Sequence, residues 1–225
     1  MARFELVTFD AYSGLANYMS TLVPVLERIL GLSTDDATAL LKDWRNRQLA
    51  AAALSNSLGG ERVSFRSCTA VALDHAARHH DVTVDDSQRM DLVNAWYPLD
   101  PWPEADRVLA DLKARGYTLA ILSNGDRDML EALAGRLETQ FDHILSTEQS
   151  GVYKPDPRVY ALPQQELGIA HKDYLHVAGG AGDVVGAKSA GVACYWNNRG
   201  DDRVLFPEHG ADFQGPDLTG LLEIL

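Results

Sequence analysis

At 225 residues and 46% hydrophobic side chains, the chain has the length and composition of one sizeable domain, or of a domain carrying a smaller insert. A formal charge of −12 excludes nucleic acid and anionic membrane as expected partners, while a local Arg and Lys cluster still leaves room for a small anion. Cys68 and Cys194 give no disulfide framework and read as free thiols of a reducing, cytoplasmic setting; no signal peptide and no run of ~20 apolar residues is expected.

The chain opens with an alternating stretch, Phe4-Glu5-Leu6-Val7-Thr8-Phe9, that predicts a buried strand ending at Asp10. A Ser13-Gly14 turn follows. Residues 16–98 then read as helices at 19–30, 34–54, 65–80 and 85–96, with no strand among them. Thr34-Asp35-Asp36 and Asp85-Asp86 supply the helix starts, and Leu40, Leu41, Trp44 and Leu49 recur at helical spacing. Pro101-Trp102-Pro103 ends that pattern. Helices and strands alternate afterwards: helix 104–115, strand 118–123, helix 128–137, strand 143–146, helix 157–167, strand 174–177, helix 184–190 and strand 192–196. Such alternation implies right-handed βαβ units and a parallel sheet.

Chemistry in an open parallel sheet collects beyond the carboxyl ends of the strands. Four polar groups stand there: Asp10, Ser123 with Asn124, Lys154 before Pro155, and Asp183 in a glycine-rich turn. A carboxylate at that place can attack carbon or phosphorus and form an ester or acyl phosphate. Each group also has an ordinary structural use. Asp10 fits a strand end, Ser-Asn-Gly a turn, Lys154 an exposed helix start and Asp183 the N-cap of the next helix.

The ordered set Asp, Ser, Lys, Asp resembles the four motifs of the haloacid dehalogenase superfamily, over nearly the whole chain. Asp10-Ala11-Tyr12, Trp44-Arg45-Asn46-Arg47-Gln48-Leu49, Ile121-Leu122-Ser123-Asn124-Gly125, Val152-Tyr153-Lys154-Pro155-Asp156 and Asp183-Val184-Val185-Gly186-Ala187-Lys188 look like its L-2-haloacid dehalogenase branch. The resemblance implies a three-layer Rossmann-like α/β core at residues 1–15 and 99–225, with a helical cap at 16–98. It implies a small carboxylate substrate, no cofactor and no metal, and it leaves a homodimer open.

In that family Asp10 would attack C2 of the acid and expel halide, and water would then cleave the aspartyl ester with net inversion. Lys154 and Asp183 would complete the catalytic set. Two nearby carboxylates raise one another's pKa, and an ammonium between them favours the ionised forms. The resemblance assigns Ser123 to the substrate carboxylate, and Asn124 and Arg45 to the halide. It places Tyr12, Leu49, Phe65 and Tyr160 round the substrate. Tyr12 stands where phosphatases of the superfamily carry a second aspartate that protonates the leaving oxygen, so it favours carbon–halogen chemistry. Arg45 also fits a solvated helix face, and the apolar and aromatic residues fit a core. His75 and His79 lie one turn apart but have no carboxylate or cysteine that completes a metal set in sequence.

The chain departs from the family at the active centre. Ser13-Gly14 replaces Gly-Thr, Ala178 and Gly180 replace a serine and an asparagine, and Gly182 stands where an aromatic residue can occur. All reduce polarity or bulk round Asp10. Competing readings are ring opening of an azetidine-2-carboxylate type of substrate, a magnesium-dependent phosphatase, and a degenerate member that only binds.

Overall fold

The computed structural model describes residues 4–225, so the first three residues of the expected core segment lie outside the described residues. The chain runs β1 (Leu6–Phe9), α1 (Tyr18–Leu30), α2 (Thr34–Ser55), α3 (Phe65–His79), α4 (Asp86–Asn94), α5 (Ala105–Ala114), β2 (Thr118–Ser123), α6 (Arg127–Ala134), β3 (His143–Ser146) and α7 (Thr147–Ser150). It continues with α8 (Pro157–Tyr160), α9 (Leu162–Leu167), β4 (Tyr174–Ala178), α10 (Ala181–Ser189), β5 (Ala193–Asn197), β6 (Phe213–Gly215) and α11 (Leu221–Ile224). The strands form one parallel sheet in the order β3-β2-β1-β4-β5-β6.

Alternate strand residues feed two buried layers. Val7, Phe9, Ile121 and Val177 pack with residues of α5 and α6 on one face. Leu6, Leu122, Tyr174 and Ala178 pack with residues of α8, α9 and α10 on the other. Both faces are covered, so β1 is buried throughout and reads as a continuous apolar run with Thr8 inside it. The fold is thus a three-layer α/β core. The strand order reverses on either side of β1, which opens a crevice at the carboxyl ends of β1 and β4.

The four helices α1–α4 lie between β1 and α5 in sequence. Their caps follow from local chemistry. Ser33 accepts from the Asp36 amide at the start of α2, and Asp85 with Gln88 forms a capping box on α4. The chain leaves and returns through adjacent connections: Ala16 bridges Pro101, and the Trp102 amide donates to the Leu15 carbonyl at 2.8 Å.

Several elements differ from the sequence reading: the short helices α7 and α11 were not anticipated, α4 and α6 end two to three residues early, and three further changes have a local cause. Helix 157–167 is two helices, because Pro163 has no amide hydrogen to bond the Val159 carbonyl and the ladder breaks at Ala161. β6 was not anticipated, since three residues ending in glycine carry too little pattern. Helix α10 starts at Ala181, with Gly180 as its N-cap, so Asp183 is the third helical residue rather than the cap.

Candidate active site

Asp10 follows β1 and is only 8% exposed. Its Oδ1 accepts from Ser123 Oγ at 3.0 Å and from Lys154 Nζ at 3.4 Å. Oδ2 has no hydrogen-bond partner among the described residues, so one oxygen is held and the other is free.

Asp183 is bound differently. Its Oδ1 accepts from the Tyr160 hydroxyl at 2.7 Å and its Oδ2 from Lys154 Nζ at 2.9 Å. Burial opposes its ionisation, but Lys154 and His176 outweigh that, and the carboxyl is held well below the usual carboxylate range. Burial pushes the Asp10 carboxyl up; Lys154 pulls it down and Asp183 pushes it up again. The ammonium therefore serves Asp183 first. Of the two carboxylates, Asp10 is the one with an unbound oxygen, as an attacking group needs.

Both carboxylates face a cavity of about 610 Å³ that Tyr12, Arg45, Leu49, Asn124 and Lys154 also line. Arg45 reaches it from α2. Its guanidinium stands over three rings, 5.4 Å from Tyr12 and 5.6 Å from both Tyr18 and Trp96. Its Nη1 donates to Gln48 Oε1, and Gln48 in turn donates to Thr69 Oγ1 at 2.6 Å. Burial lowers the arginine's pKa and Asp10 raises it in part. A fixed, poorly hydrated guanidinium of this kind suits a small anion. Asn124 Oδ1 accepts from the Lys154 amide at 2.9 Å, which leaves its NH₂ for the cavity.

Ser123, Phe65 and Tyr160 do not line this cavity. Ser123 is fully buried and holds Asp10. Phe65 stacks behind Tyr12 at 5.4 Å and meets Tyr153 at 5.9 Å. Tyr160 is fully buried behind Asp183. The Tyr12 hydroxyl is buried without a partner, and a Cβ added at Gly125 would lie 2.6 Å from it. That hydroxyl points into the core, so Tyr12 offers the cavity a ring and no acid.

Residues outside the sequence reading complete the site. Tyr18 lines the cavity beside Arg45, and fully buried His176 contacts both Lys154 and Asp183. A single polar residue in an otherwise apolar strand is the signal by which His176 and Thr8 could have been found. Among the described residues no group of three or more His, Cys, Asp and Glu side chains is placed to hold a metal ion.

The departures near Asp10 have a geometric basis. A Cβ at Gly14 would stand 2.1 Å from the Asp10 carbonyl oxygen, so this backbone admits no threonine there. Ser13 takes the left-handed turn, at φ 80°, and lines the cavity. Gly179 packs against that turn, with its Cβ direction 2.3 Å from the Gly14 nitrogen. At Gly180 and Gly182, by contrast, a Cβ would meet nothing within 4 Å. These two positions are open space on the cavity wall.

Residues 5–191 match the family model of haloacid dehalogenase-like hydrolases. The chain is 35% identical to an (S)-2-haloacid dehalogenase of Pseudomonas sp. (strain YL), across 97% of this chain and 93% of that one. It is 32% identical to haloacetate dehalogenase H-2 of Moraxella sp. (strain B), across 97% and 94%. Among solved structures it superimposes on the L-2-haloacid dehalogenase of Xanthobacter autotrophicus with chloropropionic acid covalently bound, with a TM-score of 0.83 at 27% identity, covering 98% and 97% of the two chains.

Proposed function

The chain belongs to the haloacid dehalogenase-like hydrolases, and from that premise we propose that it dehalogenates small L-2-haloacids through an ester on Asp10. The observation that carries this reading is the asymmetry of the carboxylates. Asp10 presents a free oxygen to the cavity while Asp183 is tied at both oxygens. Of the described residues, 4–15 and 99–225 form the catalytic core in this reading, and 16–98 the cap over it.

The substrate carboxylate enters with its C2 towards Asp10 Oδ2. Arg45, in its ring of aromatics, and the Asn124 amide receive the departing halide. A halide leaves as a stable anion and needs no proton, which is consistent with the buried Tyr12 hydroxyl. A phosphoryl-transfer enzyme of this fold would need an acid where Tyr12 stands. Release of halide from L-2-chloropropionate, undiminished by exhaustive chelation, is the expected result. Turnover of phosphate esters that depends on added magnesium, with no halide released, would contradict it.

The open wall at Gly180 and Gly182 supports acids with longer or bulkier side chains at C2. It also leaves the hydrolytic half-reaction short of a side-chain donor, since Gly180 on the wall carries none and Ala178 lies in the core layer behind it. Attack should therefore outpace ester hydrolysis, and a substrate adduct on Asp10 should be visible by mass spectrometry during turnover. Ala178→Ser with Gly180→Asn should speed hydrolysis of small acids by about tenfold, below the ~100-fold that one preorganised donor can supply. Bulky acids should lose activity, because the side chain added at Gly180 fills the wall. Loss of activity towards small and large acids alike would show that the glycine-rich turn already serves as the water site.

A further inference from the structure

His176 stands in β4 between Leu175 and Val177, fully buried and off the cavity wall. Its Nδ1 lies 2.8 Å from Thr8 Oγ1. Its Nε2 lies 3.2 Å from Lys154 Nζ and 3.0 Å from Asp183 Oδ2. One ring nitrogen thus faces both a donor that cannot accept and an acceptor that cannot donate. When bare, Nε2 accepts from Lys154. When protonated, it donates to Asp183. The Thr8 hydroxyl matches either state, since it donates to a bare Nδ1 and accepts from Nδ1–H. Both neutral tautomers and the imidazolium are therefore fully hydrogen-bonded with no side chain moving.

A buried polar network of this kind costs more than an apolar strand residue unless every state is satisfied. Here every state is. We propose that His176 is a positioning residue that stores a proton behind Asp183, needed to hydrolyse the Asp10 ester and idle while that ester forms. The proposal rests on the aspartyl-ester reading above.

The proton balance is simple. Water oxygen bonds to the Asp10 carbonyl carbon, and its proton passes through Asp183 to Nε2. The ester bond to C2 oxygen breaks, and the departing alkoxide takes that proton back through Asp183. The proton remaining on the Asp10 carboxyl goes to solvent, one per halide released. Lys154 keeps its charge throughout. The other groups facing the ring are Asp10, Tyr160, edge-on at 5.7 Å, and Cys194, its register partner on β5. Burial keeps the phenol and the thiol protonated.

The test uses single turnovers of L-2-chloropropionate with enzyme in excess, following halide release and the mass of the Asp10 adduct. His176→Gln keeps hydrogen-bonding groups but cannot store a proton, whereas His176→Phe removes both. In each the halide burst should stay within about twofold of wild type, while adduct decay falls ~100-fold, the usual worth of a general acid–base group. Wild-type decay should weaken towards acid pH as the imidazole fills, and His176→Gln should lack that limb. Thr8→Val, which retains the imidazole, should slow decay about tenfold with the burst unchanged, a smaller share of the same effect. Decay in His176→Gln within about twofold of wild type, or retention of the acid limb, would overturn the relay; so would unchanged decay in Thr8→Val if the His176 variants do not fold. Labelled lactate from the first wild-type turnover in heavy-oxygen water, with Asp10 unlabelled, would overturn the ester reading itself, and the relay with it.

Discussion

Lys154→Met should lower activity at neutral pH by at least ~100-fold and destabilise the fold by ~3–5 kcal/mol, the usual result of stranding a buried charge. The ammonium is 3.4 Å from Asp10 and 2.9 Å from Asp183; Asp10 and Lys154 are buried, and the Asp183 side chain is 11% exposed. Without it, burial and mutual repulsion both push the carboxyls up, and buried carboxyls of this kind can reach ~8–9. The nucleophile is then mostly protonated at pH 7. Part of the activity should return at alkaline pH.

The stability of the same variant has a defined sign. In wild type Asp183 titrates below its unfolded value, so its contribution is present above ordinary carboxylate pKa values and fades as pH falls through the native one. In Lys154→Met both carboxyls would titrate above their unfolded values. Their stability is then fullest at low pH and lost as pH rises through the raised pKa values. Urea denaturation from pH 4 to pH 8 should therefore show the largest deficit at the alkaline end, a window about as wide as these shifts. A deficit constant across that range would mean that Lys154 packs the site without controlling its charge.

Asp10→Asn is the second large effect. An amide keeps the shape and can still accept from Ser123, but it is a poor nucleophile. Halide release should fall by on the order of 10⁴-fold or more, as when other catalytic nucleophiles are removed. Thermal stability should not fall, because the change removes a buried carboxylate whose pKa is pushed up and leaves Lys154 paired with Asp183. Residual halide release within a factor of ten of wild type would point to direct attack by water.

Much of the architecture was legible from periodicity. The alternation in β1, the helical spacing of 34–54 and the later strand–helix alternation reflect which faces are buried, and burial writes itself into sequence. The positions of Asp10, Asn124, Lys154 and Asp183 on one cavity follow from strand order, because residues after parallel strands converge at one sheet edge. Other features depend on depth, which spacing does not encode. Phe65 and Tyr160 stand one layer behind the wall, where an aromatic residue looks the same in sequence as one on it. His176 was missed because a lone histidine in an apolar strand has no partner until β1, α10 and the Lys154 loop come together. The cap of α10 shifted because Gly180 is extended, at φ −138°, and the helix begins directly after it.

Enzyme in excess over L-2-chloropropionate, turned over repeatedly in heavy-oxygen water, tests the aspartyl ester most directly. Hydrolysis at the carbonyl of Asp10 should place label on that side chain, and peptide mass spectrometry should locate it there, while the first turnover yields lactate without label. Labelled lactate from the first turnover, with Asp10 unlabelled, would contradict covalent attack by Asp10.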